Sequence, residues 1–410
     1  MERFRETSHC REDTIDDHRP MSRNFRKPFD SSHPPKIAQP LEPKPCLRRP
    51  ITITLLDMPF SRTSIAGLLL LPLLMAGCRS RIQDNPIGKP ITIKPPLGLP
   101  AVPVPADNPV TAEGIALGRK LFYDKRLSSD NSLACAHCHD PKFYFTDGLR
   151  LSKGVKEQLG VRNAPTILNA AYMPFQFWDG RAISLEQQSI GPIANPVEMN
   201  NKTHDIFLGK LKGDPEYATL FRKAYGSKDI NLLRVEKALA SFERTLLSGG
   251  SAFDRFQYGG DSTALTPEQL RGLVVFMNPA AGNCAACHTL GSKDSLFTDG
   301  KFHNIGQGVK DEGDFNDVGR YHETKVETDK GAFKTPTLRN VAQTAPYMHD
   351  GSIKTLPEVV DFYAGQGNSN PYLDPEIRKI HLSPQDRRDL VEFLNALTGE
   401  MPPNSGPPAK

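Results

Sequence analysis

The sequence has no apolar run long enough to cross a bilayer, which takes about 20 residues. Its longest, Ile65–Ala76, has 12. Strand-like alternation of apolar and polar residues is scarce, which argues against a sandwich or barrel. Basic residues form no stripe, and a formal charge of +4 over 410 residues leaves no surface suited to a nucleic acid. There is one tryptophan, Trp178, and there are seven cysteines. Apart from two Cys-x-x-Cys pairs, no Cys or His falls at the spacing of a zinc site. What is present is enough chain for two to three domains, and 38% apolar residues with which to build their cores.

The short apolar run has the form of an export signal. Arg62 provides its positive flank, and Met75-Ala76-Gly77-Cys78 ends it as a bacterial lipobox does. Cys78 is therefore the expected lipidation site, and the mature chain is expected in the periplasm or cell envelope, attached to a membrane only through that lipid. Met58 is well placed to begin the signal, so residues 58–77 read as the signal peptide. Residues 1–57 read as an untranslated or disordered extension, being polar and Pro-rich. Residues 78–110 are Pro-rich without helical periodicity, and predict a lipid-anchored tether.

Helix signals begin at Thr111, an N-cap for Ala112–Tyr123. Thr266-Pro267-Glu268-Gln269 is a capping box with proline in the first helical turn. Ser383-Pro384-Gln385-Asp386 starts a last helix, with Leu390, Leu394 and Leu397 on one stripe and Gly399 as its stop. The fold class is mainly α. The chain also repeats itself: Pro165–Asn169 (PTILN) matches Pro336–Asn340 (PTLRN) at an offset of 171, and Asp179-Gly180 matches Asp350-Gly351 at the same offset. Two domains related by duplication follow, at 111–260 and 261–400, with a disordered tail at 401–410.

Each repeat carries one Cys-x-x-Cys-His motif: Cys135, Cys138 and His139, then Cys284, Cys287 and His288. Two thiols at this spacing add to the two vinyl groups of one haem, and the next histidine lies beneath the iron. His137, inside the first motif, reads as an exposed spacer. The two histidines differ by 149 positions, so the second repeat has gained 22 residues within Asp294–Lys334 relative to the Pro-Thr offset. The cofactors expected are two covalent c-type haems, in two cytochrome c-like domains.

Three further segments carry a resemblance. Arg162-Asn163-Ala164-Pro165-Thr166 leads to Phe177-Trp178-Asp179-Gly180-Arg181. Gln187-Gln188 is followed by Gly191-Pro192 and Asn195-Pro196-Val197-Glu198-Met199. Thr335–Val341 is followed by Ala345-Pro346-Tyr347-Met348-His349-Asp350-Gly351. From Thr111 to Thr398 the chain resembles the bacterial di-haem cytochrome c peroxidases, including the MauG-type enzymes. That resemblance implies hydrogen peroxide as substrate, reduced at the first haem. The electrons come through the second haem from a donor protein, a small cytochrome or cupredoxin; MauG-type members instead oxidise a protein substrate.

The resemblance also implies roles for particular residues. Val155 stands where conventional members have a displaceable second histidine, and no histidine occurs between His139 and His204, so the first haem is expected open. Tyr363 stands where they have an axial methionine. A phenolate is a hard anionic ligand that favours ferric over ferrous iron, and this points to the MauG-like branch. Read from the residues alone, Tyr363 is equally a core tyrosine, with Met348 or His349 as ligand. Glu198 aligns with the distal carboxylate, Gln188 with its hydrogen-bonding partner (Gln187 takes that place if the register slips by one), and Pro192 with another distal residue. Trp178 aligns with the aromatic residue between the haems. Asn163, with the carbonyls of Thr344 and Pro346, corresponds to a calcium site. The competing expectation is a non-catalytic di-haem electron carrier, which predicts two six-coordinate haems and no use for Gln188 and Glu198.

Overall fold

The computed structural model describes residues 84–310 and 314–409. The extension at 1–57, the signal peptide and Cys78 lie outside the described residues. Among those described, no helix is long and apolar enough to cross a membrane.

The first repeat contains α1 (Ala112–Phe122), α2 (Leu185–Ala194), α3 (His204–Lys212), α4 (Pro215–Tyr225), α5 (Leu232–Glu243) and α6 (Ala252–Gln257). Thr111 caps α1 by accepting from Gly114 N–H, as expected. α1 crosses α5 where Gly118 meets the other backbone: a Cβ there would lie 1.9 Å from Ala238 O. Only glycine permits that approach. Around the crossing, Leu117, Leu121, Phe122, Leu239 and Phe242 form a core with α3 and α4.

The second repeat contains α7 (Pro267–Met277), β1 (Phe302–His303), α8 (Tyr321–Thr324), β2 (Phe333–Lys334), α9 (Leu356–Ala364) and α10 (Pro384–Asn395). Both predicted capping boxes form, at Thr266/Gln269 and Ser383/Asp386. The last helix stops at Asn395, short of Gly399, but Leu397 is still fully buried. α7 crosses α10 as α1 crosses α5: a Cβ on Gly272 would lie 1.9 Å from Asp389 O. The aromatic core is duplicated too. Phe122, Phe145 and Phe242 of the first half correspond to Phe276, Phe297 and Phe393 of the second. The edge contact of Phe122 with Phe145 at 6.3 Å is matched by that of Phe276 with Phe297 at 6.2 Å.

The tether reading is corrected over the described part of that segment. Residues 84–110 lie along the body as a strap: Ile87 N–H donates to Ala224 O at 3.0 Å and Gly250 N–H to Leu97 O at 2.9 Å, and Leu99, Asn108 and Val110 are buried. Arg339, 1% exposed, fastens the strap, with one guanidinium nitrogen donating to Gly98 O at 2.6 Å while the group pairs with buried Asp254. Gly98, with φ +85°, is needed there because a Cβ would fall 1.9 Å from Asp254 Oδ1. Prolines without helical pattern suit such a strap as well as a free spacer, since both are extended.

The tail is corrected likewise. Ser405 O accepts from the Tyr123 hydroxyl at 2.5 Å, and Gly406 O from Arg119 at 2.6 Å. The tail of the second half therefore returns to α1 of the first.

The residues gained in the second repeat form a clamp. β1 and β2 pair antiparallel, Phe302 opposite Lys334 and His303 opposite Phe333. Between them, Asp317 takes the Arg162 guanidinium at 2.6 and 2.9 Å, and Arg320 donates to Asp179 O at 2.8 Å.

Candidate haem sites

Each Cys-x-x-Cys-His motif starts in a short 3₁₀ turn, Cys135–His137 and Cys284–Ala286. His139 Nδ1 lies 3.0 Å from Phe145 O, and His288 Nδ1 lies 2.9 Å from Phe297 O. A carbonyl can only accept, so each Nδ1 carries the proton and each Nε2 presents its lone pair. Burial holds both imidazoles below the ordinary histidine value, and a neutral ring is the form that binds iron. The shelf beneath each ring is duplicated as well: Thr166 Oγ1 donates to Tyr144 O and Thr337 Oγ1 to Leu296 O, both at 2.6 Å.

None of the four motif cysteines is in a disulfide. Burial pushes the Cys138 and Cys284 thiols up to about 12. They line one cavity of about 430 Å³ that also receives both motif histidines. Unpaired thiols, two uncommitted imidazole nitrogens and a largely aliphatic and aromatic wall fit a covalently attached haem at each motif.

The cavity brings together nearly all the residues expected at the sites. Trp178, Gln188, Pro192, Glu198, Tyr363, Asn163, Thr344 and Pro346 all line it. Gln188 lines the cavity, while Gln187 is exposed and its Oε1 accepts from Ile183 N–H. Pro192 sits inside α2; it has no N–H to donate to the Gln188 carbonyl four residues back. His137 is exposed.

Glu198 Oε1 accepts from Asn195 Nδ2 at 2.7 Å. Burial raises its carboxyl above the ordinary glutamate value, against the opposing pull of Arg181 and of the Asn195 bond. Val155 is buried at 1% exposure, and its N–H donates to Glu198 O at 2.8 Å. It therefore fixes the backbone of the carboxylate residue. Gly154 before it leaves no room for a side chain, since a Cβ would lie 2.1 Å from Val197 O.

Trp178 is held by both halves. Its Nε1–H donates to Asn163 O at 2.9 Å, and its carbonyl accepts from Lys334 N–H at 2.8 Å. The Asn163 amide nitrogen donates to Leu149 O at 2.8 Å, which leaves Oδ1 as its free end. On α9, Tyr363 turns its ring into the cavity; its hydroxyl makes no hydrogen bond to any described residue, and burial raises it well above the ordinary phenol value. Met348 and His349 also line the cavity. The His349 ring lies flat on Phe333 at 3.7 Å, and burial pushes it down to about 4.

Two lining residues were missed in the sequence. Glu243, at the end of α5, is 5% exposed, and burial pushes its carboxyl up to about 8. Lys334 on β2 is the other. Neither belongs to a motif with its own spacing, so no local signal marked them.

Comparison with known proteins agrees with this geometry. The family model described as di-haem cytochrome c peroxidase matches residues 112–263, and a cytochrome c model matches 271–398. The chain is 42% identical over 303 residues to the methylamine utilization protein MauG of Methylorubrum extorquens, covering 73% of this chain and 82% of that one. It is 37% identical to the cytochrome c551 peroxidase of Pseudomonas aeruginosa, covering 72% and 81%. The crystal structure of a MauG-like protein associated with microbial copper homeostasis superposes with a TM-score of 0.67 at 32% identity, covering 74% of this chain and 95% of that one. Relatives of this identity, matched over most of their length, show the family: the chain belongs to the di-haem cytochrome c peroxidases and carries two c-type haems.

Proposed function

We propose that the protein reduces hydrogen peroxide to water at the haem of Cys135, Cys138 and His139, with the second haem passing electrons from an external donor. The overall change is H₂O₂ + 2 H⁺ + 2 e⁻ → 2 H₂O. The observation that carries this reading is Glu198, a half-buried carboxyl of raised pKa in the cavity that holds the first motif. The haem iron supplies the site where peroxide binds and the route by which electrons reach it. Glu198, ionised, would take a proton from one peroxide oxygen and hand it to the other, which then leaves as water. Asn195 aims the carboxylate, and Gln188 would offer an amide to the peroxide. Val155, in place of a second histidine, would offer no ligand to the first haem. Trp178, between the halves, divides a long electron transfer into two short ones.

A MauG-like oxidation of a protein substrate is the second reading. It is favoured by Tyr363 on α9, which lines the cavity, makes no hydroxyl hydrogen bond to a described residue, and would hold the iron of the second haem. His349, flat against Phe333, is less free to turn towards iron. Asn163 Oδ1 with the carbonyls of Thr344 and Pro346 would suit a calcium ion, which prefers oxygen ligands. The lipobox-like Met75–Cys78 supports attachment in the cell envelope through Cys78. The donor is expected to be a small cytochrome or cupredoxin.

One equivalent of peroxide added to the fully ferric protein tests the reading. A ferric high-spin signal at rest, lost on addition, is expected, and persistence of the oxidised state after peroxide is consumed favours the MauG-like branch. Two low-spin haems indifferent to peroxide would leave a plain electron carrier as the answer.

A further inference from the structure

Among the charged side chains lining the cavity, Lys334 has no part in the peroxide chemistry and no partner among the described residues. It lies on β2, with Phe302 of β1 opposite and its N–H on the Trp178 carbonyl. Its ammonium makes no hydrogen bond or ion pair with any described residue. Burial alone pushes it down to about 8, with no nearby charge contributing.

The charged groups around it are committed elsewhere or face solvent. His303 on β1 bonds Asp299 and Asp374, at 2.9 and 2.6 Å. Beside Trp178, Asp179 is taken by Arg162 and Arg181, and Asp317 by Arg162. Lys301 is exposed.

Taking an ammonium out of water costs several kcal/mol unless an anion meets it. No described residue supplies one at this point, but each c-type haem brings two carboxylates. The duplication sharpens the position. Lys334-Thr335-Pro336-Thr337 corresponds to Asn163-Ala164-Pro165-Thr166, and both leading residues grip Trp178, Asn163 at the indole and Lys334 at the carbonyl. The side chain thus stands at the junction of the two halves, inside the cavity that both motifs share.

We propose that Lys334 is the counter-ion of a haem propionate at this junction, and that by neutralising it Lys334 raises the reduction potential of that haem. The inference rests on the two haems and not on the peroxide reaction. An unpaired propionate near iron favours the ferric state, so removing the ammonium favours oxidation. Lys334 here acts through the propionate and is a positioning residue.

The test is a redox titration of the intact di-haem protein, each haem followed by its own spectrum. Lys334→Met is expected to lower one midpoint potential by enough to change the ferrous-to-ferric ratio about tenfold, which is about 59 mV for one electron. Lys334→Arg is expected to keep the wild-type value. The wild type itself is read between pH 6 and 9: a paired ammonium stays charged, so Lys334 contributes no inflection near pH 8. Unchanged potentials for both haems in Lys334→Met overturn the proposal. So does an inflection near pH 8 in the wild type that Lys334→Arg abolishes, because that is a lysine titrating without an anion. If Lys334→Met fails to load haem, the wild-type and Lys334→Arg profiles still decide. Loss of peroxidase activity with unmoved potentials would count against the peroxide reading's electron route and not for this pairing.

Discussion

Replacing Glu198 with glutamine removes one proton-transferring atom and little else. The amide has the shape of the carboxyl, and its oxygen still accepts from Asn195 Nδ2, now at 2.7 Å from Glu198 Oε1. The backbone around it, fixed by Val155 N–H on its carbonyl, has no reason to move. What is lost is the group that carries a proton between the two peroxide oxygens. Such transfer contributes about 10²–10⁴-fold, which is ~2.7–5.4 kcal/mol of barrier at about 1.36 kcal/mol per decade. Glu198→Gln is therefore expected to lower kcat/KM for peroxide by about 10²–10⁴ while both haem spectra stay as they were. The pH dependence has a definite sign. Glu198 must be ionised to accept the first proton, so kcat/KM rises with pH through its pKa, which burial places above the ordinary glutamate value. Arg181 pulls that pKa back, so Arg181→Ala should move the rising limb to higher pH. Steady-state peroxide reduction with a reduced donor, at a series of pH values, measures both. A Glu198→Gln enzyme within a factor of about three of the wild type, where ~10² is the least expected, refutes the assignment.

Three other outcomes follow from the geometry. Tyr363→Phe should open the second haem and add a second ferric high-spin signal by electron paramagnetic resonance; an unaltered low-spin signal removes Tyr363 as the ligand. The Glu243 carboxyl is raised from 4.5 to about 8 in the fold. Its contribution to stability is thus full below the unfolded value and lost as pH rises through the folded one. Glu243→Gln should be more stable than the wild type at pH 8 and lose that advantage at pH 4, as read from urea midpoints; equal differences at both pH values would falsify the account. Gly272→Ala places a Cβ 1.9 Å from Asp389 O, so α7 and α10 must part, at a cost of about 1–3 kcal/mol. The melting temperature should fall, and Gly118→Ala should behave alike because its contact is the duplicate; an unmoved melting curve in both rejects the crossing as described.

The elements read most readily in the sequence are those whose physics is local. Thr111, Thr266 and Ser383 cap helices because the side chain that accepts and the N–H that donates are three residues apart. The last helix ends at Asn395 although Ala396 and Leu397 carry no stop of their own, and Leu397 is buried by packing without being helical. Residues 84–110 and the tail at 401–409 read as free chain, because extended proline-rich segments look alike whether or not something lies beneath them. What lies beneath the strap is Arg339, 241 positions from Gly98, and what lies beneath the tail is Arg119, 287 from Gly406.

By itself the sequence determined where the haems attach and that the chain is doubled. Vinyl addition fixes the Cys-x-x-Cys-His spacing, and a repeated motif needs no fold to be seen. The tertiary structure alone decided which nitrogen of His139 and His288 faces the cavity, since that depends on the carbonyls of Phe145 and Phe297. It alone put Asp317 of the enlarged second repeat on Arg162. It alone placed Glu243 and Lys334 on the wall of the cavity. The difference is one of reach. Capping and covalent attachment act within a few residues, while burial of a charge depends on what the rest of the chain brings to its side.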